Sequence, residues 1–192
     1  MQNVYFTTLK NDFARGLAAQ FENHGYQVVT EPCPDIAFFI DTDSPEVPEE
    51  DRQVGEGINA EAAAAAYRKI VCEPLAKLET VLPYMTSPRR ICFTNDVRAS
   101  VNWSAETRGY GRNMAKAALN QILVLSKNGL IEKGYTFRLF DPLLQTLSAE
   151  QAAGSAYAYF THDRFDDGPD NKFRQDERNL VVRDALGREI PW

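Results

Sequence analysis

The sequence predicts an α/β fold with a mostly parallel sheet of about six strands and helices on both faces. Three observations carry this. The first forty residues run strand, helix, strand, strand with short joints, a βαβ order that implies parallel pairing. The strand segments "DIAFFI" (35–40), "RRICFTN" (89–95) and "YTFRLF" (135–140) are largely apolar and read as buried. Between them lie stretches long enough, and periodic enough, to be helices that cover a sheet. At 192 residues, one domain over 1–192 suffices to bury a continuous core.

Taken in order, "VYFTT" (4–8) is the first strand. "NDFARGLAAQFENHG" (11–25) is a helix with Phe13, Leu17 and Phe21 on one stripe and Gly25 as its stop. "YQVVT" (26–30) and "DIAFFI" follow as strands around the turn "EPCP". Residues 41–57 hold seven acids, two prolines and two glycines, and read as an exposed acidic loop. A long helical stretch spans 59–85 with a bend expected near Pro74. After the strand at 89–95, a helix over about 105–128 is expected to stop near Asn128-Gly129. Beyond "YTFRLF", Ser148 and Gln151 form a capping box that opens a helix over 148–160. The stretch 161–178 is a polar excursion, and "NLVVRDALGREIPW" closes the chain as strand, turn and tail.

Composition narrows the function classes. A net charge of −6 gives no uniformly basic surface and argues against nucleic acid as a partner. No apolar run approaches the roughly 20 residues of a membrane span, and the N-terminus lacks a signal-peptide pattern. Three cysteines, Cys33, Cys72 and Cys92, sit in apolar stretches and read as buried reduced thiols of a cytoplasmic protein. Two histidines far apart, His24 and His162, leave little material for a metal site, and none is assigned.

Several segments, in order along nearly the whole chain, resemble the short-chain dehydrogenase/reductase family. "MAKAALNQILVLSKN" is similar to the family's helix after its Tyr-x-x-x-Lys pair, and "KIVCEPLAKLETVLPYM" to the long helix before it. "RRICFTN" resembles the strand leading to the catalytic serine, and "GYTFRLFDPLLQT" the strand followed by Pro-Gly and a threonine. "NLVVRDALGREIPW" is similar to the C-terminus of the small carbonyl-reductase-like members. The resemblance implies a Rossmann-like, doubly wound fold, shortened by one strand–helix pair of the nucleotide half. It also implies NAD(P) as cofactor, and a dimer seam on the two long helices to which Ala115, Ala118 and Ile122 would contribute.

The family's functional residues do not carry over. Its Gly-rich turn lets a pyrophosphate rest on free N–H groups at a helix N-terminus. Here "TTLKNDFA" puts Thr8, Asp12 and Ala14 at the three glycine positions. Asp12 is a carboxylate where a pyrophosphate should lie, and Asn11 or Asp12 can cap the N–H groups it needs. Lys10 is expected to offset part of that charge. Where the family has Asn-Asn-Ala-Gly, this chain has Phe39, Ile40, Asp41 and Thr42. Of the catalytic set only the lysine stays in place, as Lys116. The tyrosine position is Arg112, which cannot deliver a proton near neutral pH. The serine falls near Asn95 or Asp96, and the asparagine near Ile70. Tyr110 lies six residues before Lys116, a rotation of about 600° on a helix, and reaches it only if the helix starts after Gly111.

These observations lead to the expectation of a degenerate, non-catalytic member without a cofactor. It would act in binding or assembly, as a homodimer or with a related subunit. Arg112, Lys116, Asn95, Asp96 and Arg98 are expected to converge at the sheet's C-terminal edge. There Arg112 and Lys116 would bind an anionic small molecule, or Arg112 would pair with Asp96 or with the acidic loop and hold the cleft shut. Two alternatives stay open. One is an NAD(P)H-dependent reductase of a small carbonyl compound using Tyr110 and Lys116. The other is a cofactor-free lyase or isomerase using Lys116, Arg112 and Asp96.

Overall fold

The computed structural model describes residues 1–42, 55–162 and 176–192. The expected acidic loop at 41–57 and polar excursion at 161–178 fall mainly outside the described residues. The chain forms one seven-stranded sheet. Its strands are β1 (Asn3–Phe6), β2 (Gln27–Val29), β3 (Ile36–Asp41), β4 (Met85–Thr94), β5 (Thr136–Asp141), β6 (Val182–Asp184) and β7 (Glu189–Ile190). Their spatial order is 2-1-3-4-5-6-7, and every pair is parallel except the terminal β6–β7 hairpin. The seventh strand is the one addition to the expected set: two residues of the "GREIPW" tail pair back on β6.

Because the strands are parallel, apolar side chains leave both faces and need cover on both. Tyr5, Phe39, Ile91, Phe93, Phe137 and Leu139 pack on one side and Val4, Phe6, Phe38, Ile40, Cys92 and Phe140 on the other. The second face is covered by α1 (Asp12–Asn23) and α5 (Ala149–Thr161). They come so close that a Cβ on Gly16 would lie 3.2 Å from that of Ala153. The first face is covered by α2 (Ala60–Tyr67), α3 (Glu73–Val81) and α4 (Tyr110–Leu130). A four-residue α6 (Asp176–Asn179) precedes β6. Among the described residues, no helix is long and apolar enough to cross a membrane.

Local chemistry explains where these elements begin and end. Asn11 caps α1 through Ala14 N, Gly25 at φ +86° lies just past its end, and the Ser148–Gln151 capping box opens α5 as expected. Three boundaries differ from expectation. The long helix is interrupted by a π-helical turn over Arg68–Cys72, just before Pro74, and ends at Val81. A 3₁₀ turn at Leu82–Tyr84 then leads into β4, which starts at Met85 rather than 89. Helix α4 starts at Tyr110 rather than 105, because Gly109 adopts a left-handed conformation (φ +71°) that helix geometry excludes. It also runs through Gly129 to Leu130.

The thiols differ from expectation as well. Cys92 alone is buried; Cys33 is half-buried and Cys72, in the π turn, is exposed. Ala115 is not on an outer seam: it is 1% exposed within the core, and Ala118 and Ile122 pack against the same cluster.

Candidate active site

The C-terminal ends of the parallel strands carry an unusual set of side chains. β3, β5 and β6 each end in a buried aspartate, Asp41, Asp141 and Asp184, and Asp96 follows two residues after β4. Each is held differently. Asp41 accepts a hydrogen bond from the Thr7 hydroxyl (2.6 Å). Asp184 accepts from Leu186 N and Arg188 N and pairs with the Arg188 side chain at 2.6 Å. Asp96 caps the 3₁₀ turn Val97–Ala99 through Arg98 N, which brings the Arg98 guanidinium onto both carboxylate oxygens at 3.1 and 2.7 Å.

Lys116 arrives from the other side. It is 5% exposed, and its Nζ lies 2.6 Å from Asp96 Oδ2. Burial pushes the Asp96 carboxyl up, but the Arg98 hydrogen bonds and the Lys116 charge outweigh it and hold the group at about 2. Burial pulls the Lys116 ammonium below its ordinary value, and the Asp96 carboxylate offsets only part of that. Arg112, one turn earlier on α4, adds a positive charge that opposes the ammonium further. Of the five residues expected to converge, Lys116, Asp96 and Arg98 form one ion cluster and Asn95 lies beside it. Arg112 does not pair with Asp96, whose oxygens are taken by a near neighbour in sequence and by Lys116.

Asn95 does not contact this ion pair through its side-chain donor. Its amide donates to Asn120 Oδ1 (2.7 Å) and to the Lys116 backbone carbonyl (3.1 Å), tying the end of β4 to α4. Asn120 escapes sequence reasoning, although it lies four residues after Lys116 on the same buried face of α4. Ile70, near the expected asparagine position, is 6% exposed and belongs to the core. Tyr110 is the first residue of α4, so the helix does not start after Gly111 as its use with Lys116 requires. Its hydroxyl is buried without a hydrogen bond among the described residues.

At the other half of the edge, the turn between β1 and α1 is closed by its own side chains. The Asn11 carboxamide accepts from Ala14 N (2.7 Å) and donates to the Thr42 carbonyl (3.1 Å), bridging the ends of β1 and β3. Arg15 folds back to donate to the carbonyls of Leu9 (3.2 Å) and Lys10 (2.6 Å) and pairs with Asp12. Asp12 is thus compensated by Arg15, not by Lys10, which is exposed. Thr8 accepts from Lys10 N through its hydroxyl (3.3 Å), and Ala14 is fully buried. From α3, Lys77 reaches in to donate to the Thr7 carbonyl (3.1 Å).

The comparisons follow this geometry. No protein-family model matches the sequence, and no curated protein matches it. Solved structures do. A carbonyl reductase from Pseudomonas aeruginosa PAO1, in complex with NADP, superposes with a TM-score of 0.76 at 18% identity over 100% of both chains. A Burkholderia multivorans protein assigned to the short-chain dehydrogenases/reductases, with bound NADP, reaches 0.76 at 12% identity over 100% of this chain and 99% of its own. Sniffer of Caenorhabditis elegans, assigned as a carbonyl reductase, reaches 0.72 at 11% identity, covering 100% and 98%. The chain has the short-chain dehydrogenase/reductase fold.

The sequence resemblance set Lys116 at the family's lysine and the turn around Thr8–Ala14 at its glycines, and both lie on the elements described above, the α4 helix and the β1–α1 turn. The Pro-Gly expected after β5 is Pro142-Leu143, and Leu143 takes the positive φ (+50°) that a glycine would accept without strain. That backbone is steadied by Asp141, whose Oδ1 accepts from Leu143 N (2.9 Å). Asp141 is the second functional candidate missed from sequence. Its signal was an acid ending the largely apolar run of β5, which also holds Arg138.

Proposed function

We propose that the chain is a non-catalytic protein on the short-chain dehydrogenase/reductase fold, with a binding or assembly role and no NAD(P) cofactor. The observation that carries this reading is the α1 N-terminus. A pyrophosphate needs free N–H groups there, and the Asn11 side chain already occupies Ala14 N while Arg15 is spent on the turn's carbonyls. Thr8 and Asp12 stand where close approach and neutral backbone are required, and Asp41 closes the neighbouring strand with another carboxylate. These residues do not fit a dinucleotide. The lysine that would lower a tyrosine's pKa donates to Asp96, and no tyrosine stands one turn before it.

The competing reading is NAD(P)H-dependent reduction of a small carbonyl compound, and it draws on the NADP bound by two of the structural neighbours. A cofactor-free lyase or isomerase needs Lys116 to reach a substrate, and its burial against Asp96 opposes that. Titration with NADH and NADPH, followed by nucleotide fluorescence and by the thermal unfolding midpoint, separates these. No saturable signal is expected with either nucleotide; saturation at micromolar concentration would overturn the proposal. As an assembly protein, the chain would pair with a second copy or a related subunit through the long α2–α3 stretch and α4, where Met114 and Leu125 are exposed on α4.

A further inference from the structure

Between the ends of β4 and β5 lies a cavity of about 200 Å³, bordered by the Asp96 turn on one side and the Asp141–Thr146 turn on the other. It is smaller than the roughly 300–1,000 Å³ of sites for drug-sized ligands. Three carboxylates border it, Asp96, Glu106 and Asp141. Two cations stand against them, Arg98 in the wall and Lys116 behind it, and both are hydrogen-bonded to Asp96. Asp141 is therefore a carboxylate 4% exposed with no ion-pair partner among the described residues. Its Oδ1 accepts a hydrogen bond from Leu143 N, and the residue lines the cavity. Glu106 is exposed on the rim. A buried carboxylate with no ion pair is costly to keep ionised, and a cation entering the cavity would offset that cost.

The apolar part of the wall narrows the choice. Val97, Pro142, Leu143 and Leu144 line the same cavity, so an occupant needs a short hydrocarbon surface as well as a positive charge. We propose that the cavity binds a small organic ammonium ion, its N–H groups donating to Asp141 and Glu106 and its alkyl portion lying against Leu143 and Leu144. This rests on the reading that no dinucleotide occupies the edge, and it names the ligand class of that same site. It also reverses the polarity of one alternative read from the sequence, in which Arg112 and Lys116 would bind an anion.

The test is calorimetric titration of the full chain with n-propyl- to n-hexylammonium, with n-butanol and n-butyrate as neutral and anionic counterparts. Saturable binding of the ammonium series alone is expected. Asp141→Asn should weaken it about tenfold or more, the scale of a lost charge-assisted contact. Glu106→Gln, on the exposed rim, should weaken it several-fold without disturbing the fold, and decides the matter if the Asp141 variant does not fold. Affinity should fall on acidification, because burial raises the Asp141 carboxyl and the Asp96 and Asp184 carboxylates raise it further, against a smaller lowering by Leu143 N and Lys116. Arg98 and Glu106 complete the charges around it. No saturation, equal binding of butyrate, or unchanged affinity in a folded Asp141→Asn protein would each overturn the inference. If neither ammonium nor NADPH binds, this inference alone fails; if NADPH saturates, the reading beneath it fails.

Discussion

Asp96 carries two cations on one carboxylate, and its partner Lys116 is nearly sequestered from water. Removing one member of such a pair leaves the other desolvated and unbalanced. Asp96→Asn should therefore destabilise the protein by about 3 kcal/mol in urea unfolding, whereas a surface pair would cost under about 1 kcal/mol. The pH dependence has a definite sign. The Asp96 carboxyl sits below its unfolded value, so its contribution is fully present above about pH 4 and is lost as pH falls through about 2. Held from 3.8 to about 2, it contributes on the order of 2 kcal/mol. In Asp96→Asn that acid-side loss should shrink. Stability should instead rise with pH on the alkaline side, where the depressed Lys116 ammonium gives up its proton earlier in the folded state. An unchanged acid limb would refute this assignment.

Among the elements, a close helix contact marks the start of α4. A Cβ on Gly111 would stand 2.9 Å from Ala63 Cα, so α4 meets α2 backbone to backbone at its first turn. Gly111→Ala should push these helices apart and lower stability by about 1–3 kcal/mol. Gly129, near the other end of α4, has open space where a Cβ would go. Gly129→Ala should raise stability by up to about 1 kcal/mol through helix propensity alone. Thermal midpoints moving in opposite directions would confirm the difference; equal shifts would deny the close packing. Helix starts with capping side chains, Asn11 and Ser148, were legible in the sequence because the signal is local. The start of α4 was not, since a lone Gly109 reveals its positive φ only in context. The π turn at Arg68–Cys72 left no pattern distinct from an ordinary helix with a proline after it.

For the molecule as a whole, Asp176 binds distant pieces together. Its carboxylate accepts from the Tyr159 hydroxyl on α5 (2.9 Å) and from Arg183 Nε and Nη2 on β6 (2.8 Å each). Asp176→Ala would remove the bonds that the Tyr159 phenol and the largely buried Arg183 guanidinium make to this carboxylate. A loss of roughly 3 kcal/mol is expected, together with faster amide exchange in β6 and β7 than in β3 and β4. Uniform exchange across the sheet would count against this linking role. At this scale the fold was readable from the sequence, because buried parallel strands and covering helices announce themselves by composition and order. The site was readable in part. Arg112 and the missing glycines said what had gone, and the expected convergence of Lys116, Asp96 and Arg98 at one edge is found, whereas Asn120 and Asp141 depend on which strand ends lie side by side.

The aspartates that close successive strands have a consequence for selectivity. Phosphorylated metabolites are abundant anions in any cell, and most open parallel sheets meet them with bare amides at this edge. Under the proposed reading, carboxylates built into the strand ends repel such competitors without a lid or a gate. That discrimination is distributed over several strands, so Arg112→Tyr by itself would not bring a nucleotide back.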